Sequence, residues 1–156
     1  MKTIENLYAL FVRVAKSLQS PFLLFVRVYW GYQLAVAGWG KLTNIPTTIE
    51  NFTKMGVPAP AFNAHFVGGV EFVGGVLLIL GLASRLISVP LIINMFTAFV
   101  IADRDALKSI FSEPDKFYGA APYTFLFACV IILIFGPGLF SLDTLIARYR
   151  ARHAAP

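Results

Sequence analysis

Four stretches of this chain are each apolar and about as long as the roughly 20 helical residues needed to cross about 30 Å of hydrocarbon. They are Phe22–Gly40, Asn63–Leu82, Leu86–Asp103 and Ala121–Pro137. Of the 156 residues, 58% are hydrophobic and 13% are charged, against about 45–50% and about 25% in an ordinary soluble domain. A domain of this size leaves roughly a third of its surface facing solvent, so one small core cannot hide the surplus. This argues against a soluble globule, a disordered chain and a nucleic-acid-binding domain, in spite of the net charge of +5. Strands of a membrane barrel alternate polar and apolar residues in short segments; these runs do not, and each is expected to be a helix. Pro21 opens the first, Gly81 and Arg85 separate the second from the third, and Gly136-Pro137-Gly138 stops the fourth. Pro90 falls in the first turns of the third, where a missing N–H is tolerated.

Residues 1–20 read as an amphipathic helix lying on the membrane. Ile4, Leu7, Phe11, Val14 and Leu18 recur at spacings of three and four, and Pro21 is expected to turn the chain inward. Arg13 and Lys16 interrupt the segment where a cleavable signal would keep its apolar core. Beyond the spanning region, residues 21–140, the tail 141–156 reads as a basic helix with Ser141 as its N-cap. The expected fold is therefore all-α: an integral membrane four-helix bundle with amphipathic interfacial helices at both ends. Seven basic residues, Lys2, Arg13, Lys16, Arg85, Arg148, Arg150 and Arg152, share the side of the termini. Five, Lys41, Lys54, Arg104, Lys108 and Lys116, fall opposite. The excess places both termini in the cytoplasm.

A charge inside a span is costly and by default marks function. Arg27 and Glu71 are the two such residues, with Gln33 and Asn94 as uncharged companions. Counted inward from the presumed far ends at about 1.5 Å per residue, Gln33, Glu71, Asn94 and Cys129 fall near one level, which suggests a shared polar layer. Arg27, Gly31, Leu34, Gly38 and Lys41 share one helical face, and Gly68, Glu71, Gly75 and Leu78 share another. Small residues on those faces let helices approach closely, so Arg27 and Glu71 are expected to meet. The candidate ligand contacts are Arg27, Trp30, Gln33, Lys41, Glu71 and Asn94, with Phe72 and Phe96 beside Trp30 as aromatic walls and Glu71 as a proton carrier. The alternative is purely structural: an ion pair and interhelical hydrogen bonds.

No metal site, haem ligation or flavin motif is legible. His65 and His153 lie at opposite ends of the chain, and the single cysteine, Cys129, reads as an apolar filler. The VGGVEFVGGV run lacks the preceding strand of a phosphate-binding loop and reads as helix packing.

The ordered set of residues resembles the DoxX family of small bacterial four-helix membrane proteins. Its pieces are Arg27 with Gly31, Gly38-Trp39-Gly40-Lys41-Leu42, Gly56-Val57-Pro58 and Glu71-Phe72-Val73-Gly74-Gly75. Leu77-Leu78-Ile79-Leu80-Gly81, Arg85 and Gly136-Pro137-Gly138-Leu139-Phe140-Ser141-Leu142-Asp143 complete it. The resemblance implies a bacterial inner membrane and an association with membrane redox chemistry, including a thiosulfate:quinone oxidoreductase subunit. On that basis the expected ligand is a quinone or related prenyl lipid within the bundle, the expected partners are the bilayer and a redox subunit, and a homo-oligomer is open. A non-catalytic lipid-binding or scaffold protein is the second reading, and a small transporter the third.

Overall fold

The computed structural model describes residues 2–153, with side chains from Ile4 onward. The Lys2 side chain and residues 154–156 of the expected tail lie outside the described residues. The chain is all-α. α1 (Lys2–Thr43) is followed by α2 (Ile45–Lys54), α3 (Pro60–Leu80) and α4 (Ser84–Ile101). Two short helices, α5 (Arg104–Lys108) and α6 (Pro114–Gly119), lead into α7 (Ala121–Phe135), and α8 (Leu142–His153) ends the described chain. No strand occurs among the described residues.

The closest helix contact, between α1 and α3, is made by glycines. A side chain on Gly38 would run into the backbone of Phe72 and Gly68, and one on Gly75 would come within 2.5 Å of the Gly31 carbonyl oxygen. Two backbones at this separation exclude side chains from the seam and gain dense dispersion contact, the usual source of helix association in lipid. α4 packs on α7, and α3 joins the two pairs through α4. The core lies where they converge: Val26, Leu34, Leu78, Leu91, Met95, Ala128, Cys129 and Ile132 are all buried. The outer surface is apolar as well, with Leu86, Ile93 and Ile134 largely exposed, as expected where lipid replaces water. The chain is a membrane protein and contacts the bilayer.

The turn between α3 and α4 explains why Gly81 and the distant Asp143 stand where they do. Gly81 ends α3 in the left-handed conformation (φ 66°). Its N–H donates to Leu78 and that of Leu82 to Leu77, the pattern that satisfies the last carbonyls of a helix. The free N–H groups of Ala83 and Ser84 donate to the Asp143 carboxylate at 2.7 and 2.9 Å. An acid 60 residues away in sequence thus caps α4, the end of a helix that favours negative charge.

Two expectations need correction. Pro21 does not break the chain: α1 runs through it as one helix of 42 residues. A proline costs a helix about 3 kcal/mol, but ending it would strand several more backbone groups beside hydrocarbon, where each unsatisfied group is costly. At about 1.5 Å per residue α1 is roughly 60 Å long, about twice the hydrocarbon thickness. Its first half carries the stripe Ile4, Leu7, Phe11, Val14 and Leu18 exposed. Secondly, three helices rather than four are long and apolar enough to span among the described residues. α7 is apolar but has 15 residues, or about 22 Å, because Gly136 at φ 78° ends it one residue before Pro137. The segment between the first two spans contains α2.

Candidate functional site

The carboxylate of Glu71 is the centre of a polar cluster that faces a cavity inside the bundle. Its Oε2 accepts from Lys41 Nζ at 2.5 Å and its Oε1 from Asn94 Nδ2 at 3.1 Å. Three elements meet here: Lys41 on the last turn of α1, Glu71 midway along α3 and Asn94 midway along α4. Glu71 is 5% exposed, and the Lys41 side chain retains 28% exposure, so the lysine can extend its ammonium toward water while the acid cannot. Thr48 locks the neighbouring α2 to this point, donating to the carbonyls of Lys41 at 3.2 Å and Asn44 at 2.9 Å.

Beside these groups lies a cavity of about 520 Å³, within the range typical of ligand sites. Lys41, Glu71 and Asn94 line it together with Asn63, Thr97 and Asp103, and the rest of the wall is mostly apolar. Leu34, Met95 and Phe125 form the wall on the bundle side, while Phe52 and Met55 of the α2 region cover it from the loop end. Lys41 and Glu71 cancel in charge, so the inner end offers donors and an acceptor without a net field. Such a wall suits a neutral molecule with a polar head and an apolar body better than an anion.

The structure brings together Lys41, Glu71 and Asn94 from the expected set and leaves the others elsewhere. Arg27 is fully buried but does not meet Glu71. It donates through Nη1 to the Leu78 carbonyl at 3.4 Å and through Nη2 to the Phe140 carbonyl, with Asp143 supplying the opposing charge. The reason is register. Gly38 faces Gly68 and Phe72, and Gly31 faces Gly75 and Ile79. That antiparallel alignment sets Glu71 level with residues 35–39 and Arg27 level with residues 79–83, at least about 12 Å away along the axis. Arg27 therefore ties the end of α3 to the segment before α8, and Gly81 is required because a Cβ there would collide with its guanidinium.

Gln33 is half-buried, has no hydrogen-bond partner among the described residues and does not line the cavity. α1 continues past Gly40 to Thr43, so Gln33 lies deeper than Glu71 and outside the expected polar layer. Trp30 packs against Phe25, Tyr29 and the core. Phe72 packs against Trp39 with the two rings tilted by 41°, and Phe96 faces outward. Cys129 is fully buried among aliphatic side chains.

Among the wall residues that sequence reasoning missed are Asn63, Phe52, Met55, Met95 and Phe125. A signal existed for the α2 part. Asn44-Ile45-Pro46 is a helix start with proline in the first turn, and Ile45, Ile49 and Phe52 follow at helical spacing.

Comparison with known proteins agrees with this architecture. A family model described as DoxX matches residues 22–104, more than half of the chain. The chain is 38% identical over 98 residues to an uncharacterized membrane protein of Mycobacterium tuberculosis, covering 59% of this chain and 60% of that protein. It thus spans less than two thirds of that relative's length. It is 28% identical over 120 residues to a Bacillus subtilis protein named "Putative oxidoreductase CatD", covering 77% of this chain and 83% of the relative. With the Escherichia coli inner membrane protein YqjF it shares 29% identity over 133 residues, 84% of this chain and 96% of the other. No solved structure matches. The matched segment holds the spanning part of α1 together with α3, α4 and the Lys41–Glu71–Asn94 cluster, and the chain belongs to the DoxX family.

Proposed function

We propose that the cavity binds a quinone or a related neutral prenyl lipid, and that the protein serves as the membrane subunit of a quinone-linked redox system. The observation that carries this reading is a buried carboxylate, held by Lys41 and Asn94, at the polar end of a mostly apolar cavity of about 520 Å³. A quinone has that division: carbonyl oxygens that accept hydrogen bonds and a ring with an apolar tail. Lys41 and Asn94 supply donors for such oxygens, and Glu71 can take up or release the proton that accompanies reduction. The ligand supplies the redox chemistry, and a partner subunit supplies the electrons. The oxidoreductase description of the Bacillus relative supports the redox part.

The test is the lipid content of the protein purified in mild detergent. Wild type is expected to retain quinone at near-stoichiometric levels, and Glu71→Gln, which keeps the shape but loses the charge and basicity, to lower retention about tenfold. Folding of the variant is checked by its thermal melting. A folded wild-type protein free of quinone, or unchanged retention in the variant, rejects the proposal and leaves a non-catalytic binding module. That second reading rests on the same cavity and on the mutual neutralisation of Lys41 and Glu71.

The basic residues at the two ends of the bundle support an orientation with both termini in the cytoplasm of a bacterial inner membrane. Cysteines introduced at Asn51 and at Arg152 are expected to react with an impermeant thiol reagent from opposite sides. Reaction of both from the outside overturns this orientation.

A further inference from the structure

At the end of the bundle that carries both termini, a groove of about 1100 Å³ lies between α1 near Pro21, the α3–α4 turn and the start of α8. Three cations from three separate helices border it: Lys16, Arg85 and Arg148. None of them has an ion-pair partner among the described residues. The acid in the groove, Asp143, is committed to the N–H groups of Ala83 and Ser84, so the positive charge there is not neutralised locally. Arg85 is positioned rather than loose. Its guanidinium lies over Gly136, where a Cβ would come within 3.1 Å of Nη2, and Nη2 donates to the Ile134 carbonyl at 3.3 Å. One edge of the guanidinium is thereby anchored to the end of α7, and its remaining N–H groups have no partner among the described residues.

The same groove has an apolar wall. Leu86 at the start of α4, Phe135 at the end of α7 and Leu139 in the segment after it line the groove and are 75%, 57% and 55% exposed. A free phosphate would use the cations and leave this wall bare. A phospholipid uses both, with its phosphate among the basic side chains and its acyl chains along the apolar ones, as basic pockets at membrane surfaces do. We propose that this groove is a binding site for the headgroup of an anionic phospholipid. The site is separate from the Glu71 cavity and stands whether or not that cavity holds a quinone.

Native mass spectrometry of the full chain in detergent, titrated with dioleoyl-phosphatidylglycerol or dioleoyl-phosphatidylcholine, tests this. Phosphatidylglycerol is expected to bind at least tenfold more tightly than phosphatidylcholine, and the preference to be lost in the double variant Arg85→Gln/Arg148→Gln. Arg150→Gln/Arg152→Gln removes the same charge from α8 outside the groove and is expected to keep the preference, while Arg85→Lys/Arg148→Lys retains most of it. Inorganic phosphate at equal concentration is expected not to compete. Equal binding of the two lipids, equal losses in the two glutamine variants, or displacement by phosphate alone would each overturn the proposal.

Discussion

Replacing Gly38 by alanine is expected to destabilise the protein by roughly 3 kcal/mol or more, whereas the same change at Gly40, two residues along α1, is expected to stabilise it. A Cβ on Gly38 would collide with the Phe72 amide nitrogen and lie 2.7 Å from the Gly68 carbonyl oxygen and 2.8 Å from the Phe72 Cα. These are backbone atoms on a facing helix. No side chain can swing aside to relieve the overlap, so α1 and α3 must separate along the whole seam. At Gly40 nothing lies within 4 Å, and alanine there gains about 0.5–1 kcal/mol of helix propensity over glycine. Gly69, on α3 with equally open surroundings, serves as a second control. Thermal melting of the three single variants in one detergent checks the contrast. A Gly38 variant as stable as the wild type would mean that the two helices do not meet at this distance.

The second large effect lies in the Lys41–Glu71 pair, and it is asymmetric. Lys41→Met leaves a carboxylate whose side chain is 7% exposed with Asn94 as its one remaining hydrogen-bond partner among the described residues. Breaking a buried pair from one side costs about 3–5 kcal/mol, and this variant is expected in that range. Glu71→Leu is expected to cost about 2 kcal/mol, because the stranded lysine, 28% exposed, can extend to water or the headgroup region. The double variant Lys41→Met/Glu71→Leu removes both charges and is expected to recover at least half of the larger loss. A double-mutant cycle by thermal or chemical unfolding measures the coupling. Simple additivity of the two single losses would show that the pair is not energetically coupled. The cycle also separates roles: a binding defect in a double variant that folds well belongs to ligand recognition and not to stability.

Arg27 shows how far spacing carries and where it stops. Its position four residues before Gly31 and eleven before Gly38 is enough to place it on the packed face of α1, and it is fully buried. The same pattern on α3 places Glu71 inward, 5% exposed. Both residues point into the bundle, yet they do not pair. Helical periodicity specifies rotation about an axis and contains no information on the height of one helix against the next. That height is set by Gly38 against Gly68 and Phe72, a contact between residues about 30 positions apart.

The helical, membrane-embedded character of this chain, the inward faces of its spans and the glycine at each tight approach follow from local chemistry. Apolar length, the 3.6-residue period and the absence of a Cβ act within a few residues of where they are written. Which polar groups meet is a different matter. Lys41 joins Glu71 and Asn94, Arg27 reaches the Phe140 carbonyl, and Asp143 caps α4. These pairings depend on the axial offsets of several helices at once, and the offsets arise only when all the seams have closed together.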